Sequence, residues 1–271
     1  MAASGVICVL GDAHLDVVVR PLRPVAADTD TPARTLAGPG GQAANVAAWV
    51  AALGGRSRLL YARGTDLAAR LVAADLAARG VDLAGPVIEG RTGVVVSLSD
   101  GGATRSMLTD RGVGPGFRPE ELRAEWLDGC QWLHLPAYSL VTDPVGATAR
   151  AAVAAAAARQ ARLSIDLSST AALAQYGAAR FARLLAGLAP DVVFGTEAEM
   201  AMIGDLAGPE LVVKLGARGV RAGGRHYPAA ATDAVDATGA GDAFAAGYLL
   251  GGVELGLSAA ARAVAAMGGM P

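Results

Sequence analysis

Cysteine is nearly absent from the 271 residues: Cys8 and Cys130 are the only two, which excludes a disulfide scaffold and a cysteine-rich zinc site. Both sit in or beside apolar runs, so buried free thiols are expected. Histidine is almost as scarce, and His14, His134 and His226 lack the spacing of metal ligands. Charge of one sign is missing too. With 23 Lys+Arg against 25 Asp+Glu and a formal net charge of −2, the chain has no basic excess for a phosphate backbone, so nucleic acid is not an expected partner. Long hydrophobic runs are missing as well. The chain is 53% hydrophobic with mean hydropathy +0.39, but much of that is alanine, and no uninterrupted apolar run reaches the roughly 18 residues that span a bilayer. The opening MAASGVICVLGD has no basic start and no small-residue cleavage region. These absences lead us to expect a protein of the cytoplasm with no membrane partner.

What is present is an alternation. Short β-branched runs (Val6 to Leu10, Trp132 to Leu135, Leu163 to Asp166, Val192 to Phe194, Leu211 to Leu215) are separated by alanine-rich, helix-favouring stretches such as Leu67 to Arg79 and Thr148 to Arg162. That rhythm predicts βαβ units and a mostly parallel sheet, hence an α/β fold. Two stretches break it. One is Asp16 to Thr35, rich in proline and aspartate. The other is Thr92 to Thr109, where β-prone runs flank Asp100-Gly101-Gly102, the composition of a tight hairpin turn. Together the segments near 16–36 and 92–110 read as a small sheet standing off the main one. It is either a lid over a cleft or an ordinary surface hairpin. Without repeats or a Pro/Ser-rich linker, residues 1–271 are expected to form one domain.

The chemistry concentrates in Asp236-Ala237-Thr238-Gly239-Ala240-Gly241-Asp242-Ala243-Phe244, a glycine-rich turn running into an apolar helix. Glycines at 239 and 241 let backbone N–H groups converge, and the helix start adds its unpaired donors and positive dipole end, so Gly239, Ala240 and Gly241 form a candidate anion hole. Asp242 stands at that helix start, where the field favours the carboxylate, and is expected to be ionised near pH 7 and able to take a proton from a hydroxyl. An aspartate there can also merely cap the helix, which would leave the glycines before it unexplained. Upstream, Gly38-Pro39-Gly40-Gly41-Gln42-Ala43-Ala44-Asn45 permits close backbone approach to a polyol at Gly40 and Gly41, with Asn45 as donor and acceptor.

These two segments, in this order, resemble the paired signatures of the ribokinase-like, or PfkB-type, carbohydrate and nucleoside kinases, and the likeness extends over nearly the whole chain. The resemblance implies a three-layer α/β/α fold with a mostly parallel central sheet and a small β-sheet lid. It implies in-line transfer of the γ-phosphoryl of ATP, with Mg²⁺, to a hydroxyl of a sugar or related small molecule. Asp242 would be the base, Gly239 to Gly241 the anion hole, and Asp16, Gly40, Gly41 and Asn45 the acceptor site, with Asp12 competing for the part given to Asp16. Arg105 is similar to a lid arginine facing substrate, or is an exposed hairpin arginine. Lys214, Gly216, Gly219 and Thr238, with Gly239 and Gly241, would border the nucleotide; Lys214 either touches phosphate or ends its strand in solvent. Glu199, in Thr196-Glu197-Ala198-Glu199 where the family has Asn-x-x-Glu, would hold Mg²⁺ through water. Asp236 and Thr238 match one side of a monovalent-cation site whose other side, like part of the adenine pocket, finds no counterpart before Pro271, so potassium is not expected. A homodimer through the lid and a monomer are both compatible with exposed lid edges. A catalytically silent sugar- or nucleoside-binding regulator on the same fold is the alternative.

Overall fold

The computed structural model of the chain describes residues 5–99 and 105–271, and the side chains of Ser99 and Arg105 lie outside that description. From the N-terminus run β1 (Val6–Leu10), β2 (His14–Pro21), β3 (Ala33–Gly40), α1 (Gln42–Ala52), β4 (Arg56–Leu60), α2 (Leu67–Ala78) and β5 (Asp82–Ala84). Then come β6 (Thr92–Ser99), β7 (Arg105–Gly112), β8 (Cys130–Pro136), α3 (Val145–Ala157), β9 (Arg162–Asp166), α4 (Thr170–Tyr176) and α5 (Ala178–Leu188). The last third holds β10 (Val192–Thr196), α6 (Glu197–Ile203), β11 (Glu210–Lys214), β12 (Val220–Ala222), β13 (Arg225–Tyr227) and α7 (Ala240–Val264).

Among the described residues the strands form two sheets, ordered β13-β12-β11-β10-β9-β8-β1-β4-β5 and β3-β2-β6-β7. The large sheet is parallel from β5 to β11 and antiparallel at β12 and β13. Every residue of β1 is buried, as expected for a strand covered on both faces. One core packs α1, α2 and α7 on the sheet; the other packs α3, α4, α5 and α6 on the opposite face. This is the α/β/α layering anticipated from the sequence. Small residues let the helices of the first layer approach closely: Ala43, Ala44, Ala47 and Ala48 of α1 and Ala243, Ala245 and Ala246 of α7 are all buried. Both cysteines are buried.

After β1 the chain builds outward to β4 and β5, then returns to place β8 on the other side of β1. The strand order therefore reverses between β1 and β8, and the crevice beyond their carboxyl ends is where open α/β sheets bind ligands. The second sheet, with β2 antiparallel to β3 and parallel to β6, places its β2 and β3 register so that Asp16 faces Gly38 and His14 faces Gly40. Its strands extend past the segments expected from sequence, to His14 at one end and Gly112 at the other. The Asp100-Gly101-Gly102 turn lies outside the described residues, while β6 and β7 on either side pair antiparallel.

Two helix boundaries differ from expectation. The helix read over Thr148 to Arg162 is α3, which starts at Val145 and ends at Ala157. Gln160 adopts φ 60° and turns the chain into β9, which already includes Arg162. α7 is long and apolar enough to cross a membrane by length and composition, but it breaks at Gly251 and Gly252 and lies in the core against α1. Its second limb ends at Val264.

Candidate active site

The turn before α7 is built on glycine. Gly239 opens the helix with φ 73°, a left-handed conformation that favours glycine, and a Cβ there would lie 2.5 Å from Cα of Gly269. Ala240 N–H turns toward Ala237 O at 3.4 Å. Gly241 and Asp242 supply first-turn amides, which have no carbonyl partner within a helix. Lys214 reaches the same spot: a Cβ at Gly241 would be 3.3 Å from its Nζ. The ammonium donates to Asp166 Oδ2 at 2.6 Å, and Asp166, closing β9, is completely buried. Burial alone would lower the Lys214 pKa, but the Asp166 charge and hydrogen bond, with Glu199 and Asp242, raise it above the usual lysine value. Lys214 is thus a fixed cation beside the glycine turn, bonded to a buried carboxylate rather than ending its strand in solvent.

Asp242 stands between the two halves of the site. Asn45 Nδ2 donates to its Oδ2 at 2.7 Å. Its pKa is pushed up to about 7, first by burial and further by Asp166 and Asp12, against the Asn45 hydrogen bond and Lys214. The expectation of a fully ionised carboxylate therefore needs correction. The helix start favours the anion, but removal from water at the bottom of the cleft outweighs it.

On the other side of Asp242 lie the groups from β1, β2 and α1. Gly40 carries no side chain because Asp16 occupies the space; a Cβ there would sit 2.1 Å from the Asp16 carboxyl. Gly41, the residue before α1, has φ 105°. Asn45 Oδ1 is a buried acceptor without a hydrogen-bond partner, and Asp16 Oδ1 is 2.9 Å from His14 Nε2. Asp12 accepts from Ala43 N at 3.4 Å and lies 3.7 Å from His14 Nδ1 and 3.6 Å from Arg111 Nη1. Burial lowers the His14 pKa, yet Asp16 and Asp12 more than compensate and raise it. An unsatisfied acceptor on Asn45, whose amide nitrogen is tied to Asp242, suits a ligand that brings a hydroxyl donor. Gly40→Ala should displace Asp16 and raise KM for the acceptor by roughly 10²-fold, the scale of an ångström misplacement, with KM for the nucleotide unchanged. Steady-state kinetics varying each substrate in turn checks this.

The nucleotide candidates line a cavity of about 450 Å³ that includes Lys214, Gly216, Gly219, Gly241 and Phe244. Thr238 faces elsewhere, donating through its hydroxyl and its amide to Asp236 Oδ1 at 2.6 and 3.0 Å. Asp236 Oδ2 accepts from Gly268 N at 3.2 Å and lies 3.5 Å from Arg20 Nη2 on β2. Glu199 is buried, and its Oε2 accepts from Thr196 N at 2.7 Å while Thr196 Oγ1 accepts from Glu199 N at 3.3 Å. Threonine in place of asparagine thus keeps a full capping box. Among the described residues no cluster of three metal-ligating side chains occurs.

Arg105 begins β7, with its side chain outside the described residues, whereas Arg111 near the end of the same strand reaches Asp12. Sequence reasoning missed His14, Asp166, Arg111 and the C-terminal residues against the site. Trp49 Nε1 donates to Gly269 O at 2.9 Å, and a Cβ at Gly269 would be 2.7 Å from Asn45 Nδ2. A signal existed for two of them: an acid ending a buried strand for Asp166, and a histidine between two alternate aspartates for His14.

Residues 5–270 match the model of the pfkB family carbohydrate kinases. A fructokinase of Salmonella typhimurium is 33% identical over 263 residues, covering 89% of this chain and 82% of the relative. An ATP-dependent ribose-1-phosphate kinase of Halopiger xanaduensis is 32% identical over 255 residues, covering 88% and 82%. Among solved structures, adenosine kinase from Sinorhizobium meliloti superposes with TM-score 0.87 at 22% identity over 99% of this chain and 96% of that one. An uncharacterised sugar kinase from Pyrococcus horikoshii, in complex with ATP, gives 0.81 at 20% over 98% and 95%. These last two likenesses concern the fold.

Proposed function

From the chain's place in the pfkB family of carbohydrate kinases, phosphotransferases with an alcohol acceptor, we propose that it moves the γ-phosphoryl of ATP to a hydroxyl of a sugar or related small molecule, with Asp242 as general base. The observation that carries this is the position of Asp242. It lies on the first turn of α7 beside Gly241 and Lys214, and its other side is tied to Asn45. Asp16, Gly40, Gly41 and Asn45 hold the acceptor through the Asp16 carboxylate and the unpaired oxygen of Asn45. Lys214, Gly216, Gly219 and Gly241 border the triphosphate and base, and Thr238 braces the turn through Asp236. The second sheet acts as the lid.

The acceptor oxygen attacks the γ-phosphorus as its proton passes to Asp242, and the bond to the β,γ-bridging oxygen breaks to release ADP. The Gly239 to Gly241 turn and Lys214 neutralise charge on the moving phosphoryl, the main work such transfer asks of a protein. Glu199, a buried carboxylate whose charge is felt at Lys214, would be the residue to hold Mg²⁺ through water, and the metal would supply further neutralisation.

The test is ATP consumption with Mg²⁺ across pentoses, hexoses, sugar phosphates, keto-deoxy acids and nucleosides. One acceptor class should turn over. For it, kcat/KM should rise with pH through about 7 and level off above, as the base loses its proton in the free enzyme. Silence across the panel without ATP binding, or a rate independent of pH from 5 to 9, would overturn this assignment.

A further inference from the structure

We propose that the acceptor carries an anionic group, a phosphate monoester or a carboxylate, and that Arg111, Arg150 and Arg180 receive it. This rests on the kinase reading above and narrows it.

A cavity of about 600 Å³ lies next to the Asp12 and His14 cleft, lined by the loop after β8 and the starts or ends of α3, α4 and α5. The two spaces share Arg111, Tyr138 and Thr142, so a molecule held against Asp12 and His14, the neighbour of Asp16, can extend into the larger one. Three arginines line that larger space against one carboxylate, Asp143, in a chain of net charge −2. Positive charge is therefore concentrated here.

The arginines are also posed for an anion. Arg111 lies over the Tyr138 ring at 4.7 Å and Arg180 over the Tyr176 ring at 4.2 Å. Stacking holds the face of a guanidinium and leaves its edge N–H groups to fork onto carboxylate or phosphate oxygens. Arg111 is 3.6 Å from Asp12, beyond a hydrogen bond. Arg150 lies 3.1 Å from Asp143, and among the described residues Arg180 has no ion-pair partner. Asp16 and Asp242, which line neither of these two spaces, repel an anion. Orientation follows: the charged end points to the arginines, and the phosphoryl goes to a hydroxyl remote from it.

The experiment measures binding without turnover, by titration calorimetry on Asp242→Asn protein. The probes are fructose and ribose against fructose 6-phosphate, ribose 5-phosphate and gluconate. At least one anionic probe should bind about tenfold or more tighter than its neutral counterpart, on the scale of a hydrogen bond to a charged group. Added salt should erode the advantage, since the arginines are partly exposed. Arg150→Gln and Arg180→Gln should each remove several-fold of it, with the loss confined to anionic probes. A response limited to the sugar phosphates identifies a phosphate, and one limited to gluconate a carboxylate. Anionic probes binding no better than neutral ones, or retaining their advantage in the double variant, would refute the proposal. Arginine-dependent binding in a wild-type protein that turns over no acceptor would instead count against the kinase reading.

Discussion

Asp242→Asn is expected to lower kcat by about 10²- to 10⁴-fold, the usual range for loss of a general base, while KM for ATP stays near its wild-type value. Asparagine keeps an oxygen to accept from Asn45 Nδ2, so the site's geometry survives. The same substitution should raise thermal stability at pH 8. A carboxyl whose pKa is about 7 in the fold and near 3.9 in the unfolded chain binds more protons in the native state between those values. Its contribution to stability therefore falls as pH rises from about 4 to about 7, and the variant lacks that loss. Kinetics and pH-dependent melting on one pair of proteins test both statements. A variant turning over like wild type would remove Asp242 from its assigned part.

Lys214→Met should destabilise the fold by about 3–5 kcal/mol, because it strands the fully buried Asp166 carboxylate. For a chain of this size that amounts to roughly 10 °C in Tm. It should also abolish turnover, since the cation beside Gly241 is gone. The two effects separate in a second variant. Adding Asp166→Leu removes the orphaned charge and should recover most of the stability, measured by urea denaturation, while activity stays lost. Activity returning along with stability would show that Lys214 serves only to neutralise Asp166.

Most of the sheet was legible because buried parallel strands leave compact β-branched runs, as in β1, β8 and β10. Helix ends were less so. In α3 alanine fills the buried and exposed faces alike, and nothing in the run 151–158 marks where the helix stops. That boundary is set by the backbone of Gln160. At the site, the glycine turn with Asp242 and the Gly40-Gly41 segment with Asn45 could be read locally, and the fold brings them together through the Asn45 hydrogen bond to Asp242. What could not be read was the environment. The pKa of Asp242 depends on Asp166, Lys214 and Asp12, contributed by β9, β11 and the loop after β1. No local pattern of the α7 turn reports them. Arg111 was missed for a similar reason, since its meaning comes from Asp12 and Tyr138, each distant in sequence.

Arg20, on a strand of the small sheet, leans toward Asp236, the residue that braces the turn opening α7. On the proposed reading, one end of β2 borders the acceptor through Asp16, and the other reaches, through Asp236, the turn that opens α7. Coupling through that strand would be reciprocal: whatever factor ATP adds to acceptor binding, the acceptor adds to ATP binding. Cutting that link at Arg20 would show as substrates that bind independently.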